Sequence, residues 1–151
     1  MAAPGFGFSV GDFISGISLV KKLIRALNDT AGSRASYRQL ISELLNLDEA
    51  LGLVKDLPTN PGQEAQKATL QQIAGKCQLS IESFLNKNSK FKESLGLQPS
   101  ASTWKSNLHK IQWALCKDDA VDALRTKIAA YTLSLNLILA NMQLVKSYVV
   151  I

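Results

Sequence analysis

The sequence is poor in the side chains from which active sites are assembled. It holds one histidine, His109, and two cysteines, Cys77 and Cys116, with no CxxC or Cys/His spacing between them. A zinc site draws on three or four such ligands, so none of the usual kind is expected, and both thiols read as buried and reduced. There is no GxxxxGK[ST] phosphate loop, no GxGxxG after a strand, no GxSxG elbow and no HExxH. His109 stands between Leu108 and Lys110 and reads as a surface histidine. Glu43, Asp48 and Glu49 read as a solvated acidic face, without a context that would drive two carboxyl pKa values apart. The expectation is therefore a chain that is not an enzyme and carries no cofactor or metal.

Other scarcities shape the fold. Only four of 151 residues are proline and charged residues are 19% against 46% hydrophobic, so the chain is globular and has few obligatory helix breaks. Runs of β-branched residues are few while Leu and Ala abound, which points to helix. No basic region precedes the first apolar stretch and no cleavage pattern follows it, so a secretory signal is not expected. The charge-free run Phe13 to Val20 is far below the roughly 20 residues a spanning helix needs. The length fits one domain, residues 1–151, and a cytoplasmic location is expected.

What is present begins with residues 5–27, GFGFSVGDFISGISLVKKLIRAL. Ser9 and Asp12 form a capping-box pattern that starts a helix at Val10, and Phe8 and Phe13 stand at the staple positions. At 100° per residue Phe13, Ile17, Val20, Leu23, Ile24 and Leu27 share one arc, widened by Leu19, with Lys21, Lys22 and Arg25 opposite. Such a helix packs into a bundle or lies at a membrane surface with its cations near lipid phosphates.

Further along, Ser36 with Gln39 is a second capping-box candidate, with a slightly earlier helix start as the alternative. Tyr37, Leu40, Leu44, Leu47, Leu51 and Val54 then recur every 3.5 residues, with Ile41, Leu45 and Leu53 widening the stripe. Pro58 and Pro61 end that helix. Asn60-Pro61 predicts the start of a third, with Leu70, Ile73, Cys77, Ile81 and Phe84 inward to about Leu85. A fourth carries Trp104, Leu108, Ile111 and Leu115, with Trp113 off the stripe.

From Asp118 and Asp119 the last helix repeats Val121, Leu124, Ile128, Tyr131, Leu135, Ile138, Met142, Val145 and Val149, and spans about 45 Å. Its second apolar row, Leu133, Leu137 and Leu144, predicts a helix apolar on most sides and hence central. The fold class expected is all-α: an up-and-down bundle of four to five main helices with the C-terminal helix as spine.

The net charge of +5 is local. Lys87, Lys90, Lys92, Lys105, Lys110 and Lys117 face one acidic residue, Glu93, between Asn86 and Lys117, while the remainder is balanced. That segment forms a candidate anionic-surface patch. Arginine, the main base-reading residue, is absent from it and Trp104 falls on the core stripe, so nucleic acid is not an expected partner.

Residues 5–27 together with YRQLISELLNLDEAL at 37–51 and KIQWALCKDDAVDALRTKIAAYTLSLNLILANM at 110–142 resemble the N-terminal helical domain of fungal STAND, or NOD-like-receptor-like, proteins, a relative of the HeLo-like cell-death group. The resemblance implies an N-terminal signalling or effector domain ahead of a nucleotide-binding or repeat region in a longer receptor. It implies self-association and engagement of anionic membranes through the first helix, with recruitment to the membrane on activation. The residues matching that helix are Phe8, Phe13, Ile14, Ile17, Val20, Lys21, Lys22 and Arg25. The three cations interrupt the apolar segment, so the implied contact is interfacial rather than spanning. The alternative is a non-catalytic helical adaptor, in which the first helix stays packed and the surface recruits other proteins.

Overall fold

The structure is a computed structural model that describes residues 10–31, 34–58, 60–88 and 116–150, with side chains over 14–29 in the first stretch, to 87 in the third and to 145 in the last. Four helices and no strand occur among the described residues: α1 (Val10–Ala31), α2 (Ala35–Lys55), α3 (Glu64–Asn88) and α4 (Asp118–Val150). The expected helix with Trp104, Leu108, Ile111 and Leu115 lies outside them, as do Ser9 and Trp113.

α1 is described from Val10 onward, and the capping pattern expected around Ser9 lies outside the described residues. Its inward arc is Leu19, Val20, Leu23 and Leu27, all essentially without solvent exposure, with Ile17 and Ile24 half-buried beside them. In α2 all six residues of the 3.5 repeat are buried, from Tyr37 to Val54. The widening is one-sided: Ile41 is buried, whereas Leu45 and Leu53 are exposed.

The start of α2 is the earlier of the two expected, and the start of α3 differs from expectation. α2 is entered through Arg34, whose extended backbone presents its carbonyl to the Tyr37 and Arg38 amides at 3.1 and 3.0 Å. Ser36 is therefore already helical and caps nothing. It donates instead to Asp118 Oδ1 at 3.0 Å. α3 begins at Glu64, three residues after Pro61, because Asn60-Pro61-Gly62-Gln63 closes a β-turn with Gln63 N donating to Asn60 O at 3.2 Å. Gly62 has φ +84°, the left-handed value that the third position of a type II turn requires and that only glycine adopts without strain. Gln63 then offers its carbonyl to Lys67 N at 3.0 Å and opens the helix.

Long-range ties set the helix directions. Arg34 at the start of α2 pairs with Asp118 at the start of α4, so these two run parallel. Gln63, at the start of α3, donates through Nε2 to Met142 O near the far end of α4 at 3.2 Å, so α3 runs antiparallel to it. Lys21, ten residues before the end of α1, pairs with Asp48, thirteen residues into α2, so these two run antiparallel and the helices alternate in direction along the sequence. α4 packs chiefly on α2 and α3, and α1 chiefly on α2, which makes α4 the spine of an all-α bundle. Its 33 residues span about 50 Å.

The core is one cluster drawn from all four helices. Fully burying one leucine stabilises the fold by about 1.5–3 kcal/mol before cavity effects, so the four sealed residues of α1 make that helix an integral part of it.

Candidate functional site

α1 divides the predicted site residues between two environments. Val20 is sealed in the core and Ile17 is half-buried, while Ile14, Lys21, Lys22 and Arg25 face outward. Phe8 and the Phe13 side chain lie outside the described residues. Lys21 Nζ sits 3.8 Å from Asp48 Oδ2 of α2, across the α1–α2 seam. The cations thus decorate the rim of a packed helix whose apolar arc is already occupied by the bundle.

Of the predicted basic patch, Lys87 near the end of α3 and Lys117 just before α4 are both exposed at the same end of the bundle. Lys90, Lys92, Lys105 and Lys110 lie outside the described residues.

The same end holds a polar clamp that sequence reading did not find. Arg34 Nη2 donates to the Cys116 carbonyl at 3.0 Å and pairs with Asp118 Oδ1 at 2.5 Å, and its guanidinium lies 4.8 Å from the Tyr37 ring centroid. Tyr37 is fully buried, and burial, followed by its hydrogen bond with Cys116, pushes its phenol well above the usual range. Burial likewise raises the Cys116 thiol. The hydroxyl of Ser36 and then the Arg34 guanidinium hold the Asp118 carboxyl below its ordinary value. Cys77, on α3, is pushed up to about 12 by burial. Both thiols therefore remain protonated at neutral pH, the wrong state for a nucleophile or metal ligand. Among the described residues no three His, Cys, Asp or Glu side chains gather where a metal ion would be held. The clamp joins the starts of α2 and α4, whose partners are more than 80 residues apart in the chain.

Between α2 and α4 runs an open groove of about 320 Å³. Glu43, Asn46 and Glu49 line one wall, Asn136 and Leu133 the other, and the buried Thr132 hydroxyl at its base has no hydrogen-bond partner. The predicted acidic face is thus split: Glu43 and Glu49 border this groove, and Asp48 turns toward α1.

The largest departure from expectation is on α4. Val121, Leu124, Ile128, Leu135, Leu139 and Met142 are buried, as the first repeat predicts for five of them, and Val145 is exposed. The second row does not enter a core. Leu133, Leu137 and Leu144 are 60%, 62% and 57% exposed, on the side of the helix diametrically opposite the buried row. Ala130, Ser134, Ala140 and Asn141 lie exposed among them. From Ile128 to Val145 there is no charged residue, and residues 118–145 are long and apolar enough to cross a membrane by length and composition. The signal was in the sequence as that uncharged run, which is silent about which side faces out. Comparison of the chain with protein-family models, with curated proteins and with solved structures gives no match in any of the three.

Proposed function

We propose that the chain is a non-catalytic signalling bundle that works by binding other proteins, with α1 as a fixed part of its core at rest. The observation that carries this reading is the burial of α1: Leu19, Val20, Leu23 and Leu27 are sealed against the bundle, so its apolar side is not on offer to a bilayer while the domain is folded. The neutral buried thiols and the structural role of the clamp leave the described surface better suited to association than to chemistry. The resemblance of 5–27, 37–51 and 110–142 to the N-terminal domains of fungal STAND proteins supports placing the bundle ahead of a nucleotide-binding or repeat region. It also supports a role in relaying an immune or cell-death signal. Membrane engagement then belongs to a released α1, whose exposed Lys21, Lys22 and Arg25 would meet anionic headgroups.

Vesicle leakage separates resting binder from membrane effector. Lys21→Cys with Asp48→Cys, bridged by a short bis-maleimide, ties α1 to α2 across the seam where the ends of the two native side chains approach within 3.8 Å. The folded chain is expected to leave phosphatidylserine vesicles intact, with or without the bridge. Leakage by the unbridged protein that the bridge abolishes would make α1 release, not protein binding, the working step.

A further inference from the structure

We infer that the outward side of α4 is a homotypic docking surface, on which a second copy of this chain packs its own α4 in antiparallel orientation. The inference rests on the reading of the chain as a binding bundle and names the partner.

Three observations single out a second copy. The first is periodicity. Ala130, Leu133, Leu137, Ala140 and Leu144 follow one another at steps of three, four, three and four, the seam of two helices packed along their lengths, and every one of them is exposed. A face meant only for water needs no such repeat, and an exposed apolar strip of this length marks a contact site.

The second is size complementarity. When two copies of the helix run antiparallel with Leu137 opposite Ala140 of the second copy, Ala140 in turn meets the other Leu137, and Leu133 meets Leu144. Each large side chain at the centre faces a small one, which lets the helices close without a void. A parallel pair stacks Leu137 on Leu137 and Ala140 on Ala140, alternating crowding with gaps. In the antiparallel register Ser134 also flanks Asn141 of the second copy, two neutral polar groups able to exchange hydrogen bonds.

The third is charge. The chain carries a net +5, so two copies repel over most approaches, but the 18 residues Ile128 to Val145 are uncharged. Identical copies therefore meet without like-charge contact on this face. A bilayer is the poorer occupant. Asn141 and Ser134 on the face, and Asn136 at its border, would lose water without gaining a partner in hydrocarbon, and no Lys or Arg within the strip reaches for phosphates. The strip from Ala130 to Leu144 is ~22 Å long and one helix side wide, a contact smaller than the standard interfaces that bury about 1,200 Å² or more, so the dimer is a weak one that forms with rising concentration.

Sedimentation velocity on the intact chain, from low to high micromolar, tests this. The weight-average mass is expected to rise toward twice that of the monomer. Leu137→Glu, and independently Ala140→Glu, should weaken the association about tenfold or more, while Leu79→Glu on the outer side of α3, at a leucine equally exposed at 65%, leaves it unchanged. Circular dichroism confirms that each variant is folded. For the register, Leu137→Cys and Ala140→Cys proteins are oxidised with copper phenanthroline, separately and mixed, and the mixture should cross-link fastest.

A chain that stays monomeric at every concentration overturns the inference, as does equal weakening by Leu79→Glu. Sedimentation of the chain with phosphatidylcholine vesicles that Leu137→Glu abolishes, without self-association in solution, would assign the strip to lipid instead. Faster cross-linking by either protein alone overturns the antiparallel register. None of these outcomes alters the leakage result, so the binding-bundle reading and its partner fail separately.

Discussion

The inner side of α1 and the outer side of α4 are built alike and end in opposite surroundings. Each is a leucine-rich row at helical spacing. Leu19, Leu23 and Leu27 have almost no contact with water, while Leu133, Leu137 and Leu144 keep more than half of their surface exposed. What separates them is the other side of the helix. Opposite the α1 row stand Lys21, Lys22 and Arg25, which cost too much to bury and so fix how the helix is rotated against α2. Opposite the outer row of α4 stands another apolar row, Ile128, Leu135, Leu139 and Met142, with no charge between to choose. α4 buries the side that fits α2 and α3, and Leu133, Leu137 and Leu144 on the other stay exposed. Apolar periodicity thus states that a helix has something to pack, and charge states which way it turns.

One substitution placed in both rows has the largest expected difference in effect. Leu23→Asp puts a carboxylate where there is no water and no partner, and is expected to cost more than about 4 kcal/mol, enough to unfold a domain of ordinary stability. Leu137→Asp should stay within about 0.5 kcal/mol of the parent under monomeric conditions, because the side chain is already 62% exposed. Urea unfolding followed by circular dichroism reads both. Comparable losses at the two sites would mean that the outer row is covered within the monomer.

A smaller effect concerns the clamp, the polar tie between the starts of α2 and α4. The Asp118 carboxyl titrates below its ordinary value because the Ser36 hydroxyl and the Arg34 guanidinium bind its charged form. As pH falls, the unfolded chain therefore takes up this proton first. The stabilisation is complete above about pH 4 and is lost as pH drops through the lower folded-state value. Asp118→Asn should lower the urea midpoint at neutral pH and flatten its decline below about pH 4. An acid limb of unchanged steepness would show that other carboxylates carry it.

How much of this was legible beforehand follows from the kind of signal each feature leaves. The α2 seam from Tyr37 to Val54 and the start of α4 at Asp118 are readable because periodicity and helix-start signals are local. The start of α3 is not, because Asn60-Pro61 fits both a helix entrance and a type II turn, and Gly62 decides for the turn. The clamp is not readable either: no motif links Arg34 and Ser36 to Asp118, and the chain brings them together only once α2 and α4 lie side by side. The outer row of α4 reads as apolar, but its exposure does not, since burial is a property of what packs nearby.

The smallest expected effect concerns the rim of α1. Lys21 is half-exposed and its ammonium lies 3.8 Å from Asp48, a longer pair than the Arg34–Asp118 contact of the clamp. Lys21→Ala should therefore cost no more than about 0.5–1 kcal/mol at low salt, and less as salt rises and screens the pair. Lys22→Ala is the matched control on the same exposed rim. If Lys21→Ala costs much more than this, the seam between α1 and α2 depends on the ion pair. If the two substitutions are indistinguishable, the buried leucines alone hold α1, and its cations are free to serve an external contact.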